Sequence, residues 1–509
     1  MTDEFKPDAV SSDYAAQSPF WTMVSAILEG EAAVKKADKT YLPQFASETD
    51  TQYAARLQHS PFTNIYGDIS KGLASKPFSK ELAQKEGTPD QYLRLGENVD
   101  GQGNNLHVFG SDCFKAALDH GIDWILVDYS RAKPRADGKP LTLADEREQG
   151  LRPYWVRIPA QRMIAVYSVF LGGVEAIFHA RISESSIDID ANLKETAVNR
   201  VRILNREPVR DKLGTIVALG PATWRLWEQR TTSDGKSAWV MIDEGPITIG
   251  VIPLVPVVLG KRKGGSWIVE PPLRDLAHMQ MTEYRQESNL EWVKIMTCFP
   301  MVCVSGMGND DNGNPPKVTV GPNVVFIIPQ NQGGTGPAGE VTIVEPTAQS
   351  IVENRAQLEL TRREMRDLGM APLTQSNLTV YTTANVSKKA SSAIQAWAFL
   401  FKDALEQAWK LTALWLNDRT YEPEVVVHTD FAVELEQGTE IDALLKAQGQ
   451  GIYSKKTVRE EFRRRNIVSN DIDDEEEEER IAADQEGMEP EEPIDPRTGL
   501  PVREPGPVE

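Results

Sequence analysis

Residues 270–307 read EPPLRDLAHMQMTEYRQESNLEWVKIMTCFPMVCVSGM, and this stretch decides which fold the chain can form. Pro271 and Pro272 fit a helix start, because the first turn of a helix does not need the N–H that proline lacks. The residues up to Cys298 contain neither Gly nor Pro and predict a helix of about seven turns. Pro300 lies just past the end, and the apolar run Met301–Val304 follows. The pattern predicts a long helix that leads directly into a strand.

Two further helices are predicted downstream. Residues 299–348 are rich in Gly, Pro and Asn and contain short apolar runs, which is typical of a small β module. Residues 350–369 return to a helical pattern that Gly369 ends, and residues 391–418 predict an apolar-rich helix. The polar stretch between them, residues 370–390, is predicted to be a loop. Charges of the middle helix that we expect to be exposed are Glu353, Glu359, Arg363 and Arg366.

The first half of the chain changes character near residue 122. Before it, apolar residues recur at three-and-four spacing and predict helices, including one at 111–121 that starts at Ser-Asp and ends at Gly121. After it, residues 153–182, 200–208 and 223–245 are rich in Val, Ile, Tyr and Trp and predict antiparallel strands, with a hairpin turn at Asp234-Gly235. The fold class is therefore predicted to be α+β.

Composition indicates a globular protein with more than one packed region. The chain has 509 residues, of which 40% are hydrophobic, and eleven are Trp. It lacks an apolar run of eighteen residues, and its N-terminus lacks the pattern of a secretion signal, so we expect a cytosolic site of synthesis. Three cysteines are too few for a disulfide framework.

The net charge of −20 is concentrated at the C-terminus. Residues 471–509 contain 16 acidic and 3 basic residues, which leaves a net charge of −7 for the rest. We predict that this tail is disordered, and both a solubilising and a docking role remain open. The body has no basic stripe of the kind that grips nucleic acid, so sequence-specific DNA binding is not expected.

Motifs for catalysis, cofactors or metals are not found. Residues 235–237 read Gly-Lys-Ser, but Arg230 stands where a phosphate loop needs its first Gly. Residues 334–339 match Gly-x-Gly-x-x-Gly, yet a strand pattern follows where a helix is required. Residues 310–321 resemble a calcium loop but lack its sixth-position Gly and final Glu. We therefore expect no enzyme activity, no cofactor and no metal.

The order of the parts resembles the portal proteins of tailed bacteriophages. The resemblance is carried by residues 270–307, by 368–416 (LGMAPLTQSNLTVYTTANVSKKASSAIQAWAFLFKDALEQAWKLTALWL) and by 430–468 (DFAVELEQGTEIDALLKAQGQGIYSKKTVREEFRRRNIV). Together with residues 40–78 and 103–130 it spans most of the chain. Within the portals, the chain looks closest to a subgroup catalogued as a domain of unknown function.

The resemblance implies a homo-oligomeric ring, usually a dodecamer, at one capsid vertex of the virion, assembled in the host cytoplasm. Double-stranded DNA would pass through it non-specifically during packaging and ejection. Terminase, the major capsid protein and scaffold, head-completion or head-tail connector proteins would be its partners. The implied parts are a wing (1–270), a stem helix (271–298), a clip (299–348), a second stem helix (349–369), a tunnel loop (370–390), a long wing helix and strand (391–429), a crown (430–470) and the disordered acidic tail (471–509).

The resemblance also implies two sets of site residues. A conduit must hold DNA without binding it tightly, because each neutralised phosphate adds salt-dependent affinity. The tunnel-loop candidates that would line the DNA channel are Thr374, Gln375, Ser376, Asn377, Thr379, Tyr381, Thr382, Thr383, Asn385, Lys388 and Lys389. The clip candidates for terminase or adaptor docking are Asn309, Asp310, Asp311, Asn312, Lys317, Gln330 and Asn331.

Two other interpretations remain open. The chain could be a monomeric phage adaptor or scaffold protein that binds partners through its acidic tail. It could also be a hydrolase whose β-rich middle contains an unrecognised site.

Overall fold

The structure is a computed structural model. It describes residues 5–131, 145, 148–231, 235, 237–298, 301–305, 340–344, 349–369, 380–429, 444–464, 477 and 480. The chain divides into two compact units, Met1–Phe431 and Ala432–Glu509.

Six helices form the N-terminal part of the first unit, and side-chain caps fix where several of them begin. They are α1 (Ser12–Glu29), α2 (Glu31–Lys36), α3 (Asp50–His59), α4 (Ile65–Ser75), α5 (Asp90–Glu97) and α6 (Leu106–His120). Short 3₁₀ turns lie at Asp38–Thr40, Lys76–Phe78 and Ala160–Arg162. Ser11 caps α1, and Thr49 forms a capping box with Gln52 at α3, so each cap oxygen accepts a backbone N–H that the helix leaves unpaired.

The predicted start of α6 at Ser111-Asp112 is wrong, because the helix begins five residues earlier. Asn105 is the N-cap, and its side chain accepts the Val108 N–H. Ser111 therefore lies inside the helix. The predicted end is confirmed, since Gly121 caps the helix at a φ of 84° in the left-handed region.

Antiparallel sheets follow. The strands are β1 (Ala83–Gln84), β2 (Ile122–Tyr129), β3 (Pro153–Ile158), β4 (Met163–Leu171), β5 (Val174–Ile189), β6 (Glu195–Arg210), β7 (Ile216–Thr231), β8 (Ser237–Pro246), β9 (Leu254–Val258), β10 (Lys261–Arg262) and β11 (Val269–Glu270). β4 to β8 form a five-stranded meander in chain order, and β3, β2 and β9 form a three-stranded sheet with β2 in the centre. Thr231 pairs with Ser237 across the turn at Asp234-Gly235, which confirms the predicted hairpin.

β2 lies between two hydrophobic cores because successive side chains of a strand point to opposite faces. Ile125 and Val127 belong to a core built mainly from helices. Trp124 and Leu126 face a second core that includes Met163 of the five-stranded sheet. This explains why Ile122–Val127 is buried along its whole length.

The C-terminal part contains α7 (Arg274–Cys298), β12 (Met301–Ser305), β13 (Glu340–Val344), α8 (Gln349–Leu368), α9 (Val380–Trp415), β14 (Val425–Val426) and α10 (Lys455–Arg464). β14 pairs with β1, far away in sequence. In the second unit, residues 444–449 are helical and precede α10. The mixture of helices and antiparallel sheets confirms the α+β class. Among the described residues, every helix is too short or too polar to cross a membrane.

Candidate functional site: the helical module at residues 274–415

The chain leaves the body along α7 and returns along α8. The strands at the ends of these helices, β12 and β13, pair antiparallel from Met301 with Val344 to Ser305 with Glu340. α7 and α8 pack against each other. Because the end of α7 and the start of α8 adjoin paired strands, the helices run antiparallel. Residues 352–357 of α8 are all exposed, so this end of the pair stands out from the body.

Arg362 of α8 ties the two helices together. Its Nε donates to Glu283 Oε1 at 2.8 Å and its Nη2 to Glu287 Oε1 at 2.6 Å, both on α7. Gln280 Nε2 donates to Glu283 Oε2 at 3.1 Å and to the Thr63 carbonyl oxygen at 2.9 Å. The cluster therefore joins α7, α8 and the segment before α4.

Glu283 is the residue of this cluster whose pKa is raised most clearly. Its side chain is fully buried, and burial raises its pKa to about 7 even though Arg362 acts in the opposite direction. The neighbouring Glu287 raises the pKa further because two carboxylates share one guanidinium.

A second buried ion pair holds α7 on the body. Arg56 donates from Nε to Glu48 Oε1 and from Nη2 to Glu48 Oε2, both at 2.8 Å. Its guanidinium lies 4.4 Å from the centre of the Phe45 ring. Arg56 Nη1 also reaches Ser288 Oγ of α7 at 3.5 Å. The hydrogen bond from Arg56 holds the pKa of Glu48 below its usual value.

α9 packs one face into the helical core. Ile394, Phe401 and Trp409 are fully buried there. Trp155 Nε1 donates to Thr412 Oγ1 at 2.8 Å, which fixes the helix to β3. The opposite face exposes about half of Phe399 and Leu400.

The prediction of a loop through residue 390 is wrong, because α9 begins at Val380. No Gly or Pro occurs between Leu373 and Trp415, so nothing in the sequence stops a helix there. Polarity alone indicates exposure, and exposed helical turns are also polar. The candidates that lie in the first turns of this helix are Tyr381, Thr382, Thr383, Asn385, Lys388 and Lys389.

The remaining predicted site residues lie outside the described part of the chain. They are Thr374, Gln375, Ser376, Asn377 and Thr379 of the polar stretch and Asn309, Asp310, Asp311, Asn312, Lys317, Gln330 and Asn331 of the clip. The acidic tail also lies outside it, except for Glu477 and Arg480.

The residues that join α7 to α8 were not predicted from the sequence. Nothing in the sequence analysis separates Arg362, which pairs with two carboxylates of α7, from the exposed charges of α8. The sequence does contain a signal: Leu358 and Met365 are apolar and lie two turns apart on one face, and Arg362 lies one turn after Leu358 beside that face. The structure buries Leu358, Thr361 and Met365. A charge at the margin of a buried face is expected to be paired.

Within the described ranges, no group of three His, Cys, Asp or Glu side chains could hold a metal ion. Cys113 is fully buried, and burial raises the pKa of its thiol well above the usual value. Its thiolate form, which reactive cysteines use, is therefore disfavoured.

Comparisons with known proteins give three findings. A family model described as a domain of unknown function (DUF4055) matches residues 272–416. No curated protein matches the chain. Among solved structures, the chain is similar to a subunit of the neck of a native GTA particle computed with C12 symmetry, with 12% identity, a TM-score of 0.38 and coverage of 77% of this chain and 87% of that one.

A second similar structure is the neck of an empty GTA particle computed with C6 symmetry. The identity is 11% and the TM-score 0.39, with coverage of 82% of this chain and 93% of that one.

Proposed function

We propose that the protein is a portal subunit of a tailed phage or phage-like particle. Identical copies would form a ring at one capsid vertex, and double-stranded DNA would pass along the ring axis during packaging and ejection. The paired strands at the end of α7 and α8 would lie in the region that docks terminase and head-tail connector proteins.

The observation that carries this proposal is the agreement between the helical module and the family match. The match begins at Pro272, two residues before α7, and ends at Leu416, one residue after α9. The same stretch includes residues 272–307 of the first segment that carries the resemblance to portals and all of the second segment, 368–416. A helix pair with strands at its outer end, followed by a long helix, is the arrangement that the resemblance implies for stem, clip and wing helix.

The electrostatics agree with a conduit. Residues 1–470 have a net charge of −7, so the body would repel a polyanion weakly. A channel that bound each phosphate would slow DNA movement and make it strongly dependent on salt. Passage would be passive or gated in this protein, and a separate terminase would hydrolyse ATP. We accordingly propose that the protein is not an enzyme and needs no cofactor.

A measurement of mass in solution tests the proposal. A portal subunit should assemble into a ring many times heavier than its 56.6 kDa chain. A species that stays at 56.6 kDa under varied salt and concentration would contradict the proposal and favour a monomeric adaptor. Hydrolase activity by a monomer would favour the third interpretation.

A further inference from the structure

Two hairpins of the five-stranded sheet extend beyond their neighbours. β5 pairs with β4 only up to Ile182, and β6 pairs with β7 only from Arg200. Residues 183–199, which we call arm A, therefore form a two-stranded ribbon to which no third described strand is paired. At the other end, β5 stops pairing with β6 at Asn205, and β8 reaches β7 only at Thr223. Residues 206–222, arm B, form a second such ribbon.

Both arms expose apolar side chains. All residues from 187 to 197 are exposed, and Leu193 at the tip of arm A is 82% exposed. Ile187 and Ile189 are two residues apart on one strand and so share a face. In arm B, Leu213 at the tip is 90% exposed. Two-stranded ribbons are only marginally stable in water, and clustered exposed apolar residues commonly mark contact sites.

The backbone at Leu193 strengthens this interpretation. Leu193 has a φ of 60°, in the left-handed region that residues other than Gly, Asn and Asp rarely adopt. Asp190 already forms the turn, because its Oδ1 accepts the N–H groups of Asn192 and Lys194. Gly or Asn would suit position 193 better, and the described chain offers the leucine no burial.

The two arms carry opposite net charges. Arm A contains Glu184, Asp188, Asp190 and Glu195 against the single basic Lys194. Arg202 and Arg200 beside the arm pair with Glu184 and Asp188, so the negative charge left for a partner lies at the tip, on Asp190 and Glu195. Arm B contains three basic and two acidic residues, and its basic residues are Arg206, Arg210 and Lys212. Opposite charges favour contact between the arms over contact between two copies of the same arm.

The arms of one copy cannot reach each other. They lie at opposite ends of β6, whose 16 residues span about 50 Å at the usual rise of a strand. We propose that arm A of one copy docks on arm B of the next copy, with Leu193 and Leu213 in the contact. Such a head-to-tail contact closes into a ring when its rotation permits. This inference rests on the ring of the proposed function and names the surface that forms it.

Cysteine cross-linking tests the contact. The double variant Leu193→Cys/Leu213→Cys is oxidised after assembly and separated on a denaturing gel, with each single variant as a control for the three native cysteines. We expect a ladder of multimers from the double variant and monomers from each single variant. Dimers from a single variant would show that like arms meet, and a double variant without a ladder would show that the tips do not meet; either result overturns the proposal.

Substitutions at the tip and in the charges provide an independent readout. Leu193→Asn introduces a residue that tolerates the left-handed backbone, so the melting temperature of the monomer should not fall. It should raise the concentration needed for assembly by about tenfold or more. Glu195→Lys or Lys212→Glu alone should weaken assembly, and the double variant Glu195→Lys/Lys212→Glu should restore part of it.

The outcomes separate this inference from the proposed function. A wild-type ring with unchanged assembly in Leu193→Asn and in the charge variants overturns the arm contact and leaves the portal proposal standing. A wild-type chain that stays monomeric contradicts both.

Discussion

Two arginines hold the helical module, the buried Arg56 and the partly exposed Arg362, and they leave their carboxylates in different states. Arg56 binds one carboxylate, that of Glu48, through two hydrogen bonds of 2.8 Å, and these hydrogen bonds hold the pKa of Glu48 below its usual value. Arg362 divides its guanidinium between Glu283 and Glu287, and burial, with a smaller contribution from Glu287, raises the pKa of Glu283 to about 7. The first pair favours the ionised form of its carboxylate, whereas the second leaves a buried carboxylate that binds a proton more readily than usual.

Glu283→Gln should reduce the dependence of stability on pH. The pKa of about 7 in the folded protein lies above the value of about 4.3 in an unfolded chain. The folded state therefore binds more protons between these values, and the free energy of unfolding falls as pH rises from 5 to 7. We expect Glu283 to contribute on the order of 2 kcal/mol to this fall, measured by urea unfolding of wild type and variant.

The comparison must be made between the two proteins, because burial also raises the pKa of Asp123 to about 7. Asp123 contributes in the same direction in both. Identical pH profiles for wild type and Glu283→Gln would contradict the raised pKa of Glu283.

Arg56→Ala should destabilise the fold by about 3–5 kcal/mol, because it leaves the buried Glu48 carboxylate without a charged partner. Lys39→Ala is the matched control, since Lys39 contacts the exposed Asp50 at 3.4 Å near the same helix and should matter little. Chemical denaturation measures both. Equal effects of the two substitutions would show that the buried pair contributes no more than the exposed one.

In the helical module, the sequence predicted which helices exist better than it predicted the residues at which they begin and end. Helices at α7 and α8 followed from periodicity and from proline and glycine at their ends, which are local signals. The start of α9 at Val380 was not predicted, because the polar composition of residues 370–390 indicated a loop. Arm A was also missed: the predicted strands stopped at Ile182 and resumed at Arg200, since Ser, Asp and Asn between them are typical of turns.

Gly369 and Gly72 give a matched test of how α8 docks on α4. A Cβ on Gly369 would lie 2.6 Å from Ile69 Cγ2, so Gly369→Ala should cost about 1–3 kcal/mol. A Cβ on Gly72 would meet nothing within 4 Å, so Gly72→Ala inside α4 should stabilise by about 0.5–1 kcal/mol. Thermal unfolding of both variants measures the effects, and a neutral Gly369→Ala would contradict the close contact.

Thr374→Lys/Ser376→Lys tests whether the polar stretch before α9 meets DNA. The substitutions preserve length and leave Val380 in place. Each phosphate that a new lysine neutralises should steepen the dependence of DNA affinity on salt by about 0.9 in the logarithmic slope. Affinity of assembled rings for double-stranded DNA, measured over a range of salt, gives this slope, with Thr374→Ser/Ser376→Thr as the uncharged control. An unchanged slope would place the stretch away from the DNA.

At the scale of the whole molecule, we expect that the acidic C-terminal tail is not needed for assembly of the ring. Residues 471–509 carry −13 of the net charge of −20, whereas residues 1–470 carry only −7. Removal of residues 476–509 should therefore leave ring formation intact, measured by mass in solution. A truncated protein that folds but stays monomeric would show that the tail takes part in assembly.

The fold class could be predicted from the sequence pattern, but the assembly of copies into a ring could not. The change from helical to strand periodicity near residue 122 predicted α+β directly. The ring was implied only by resemblance, because surfaces between copies leave no periodic pattern within one chain. The arms became visible only when strand pairing showed where each neighbour stops.

Electron micrographs of the purified full-length protein test the central claim most directly. The portal proposal predicts rings with rotational symmetry and a central channel wide enough for a DNA duplex. Uniform compact particles of single-chain size, without a channel, would contradict it.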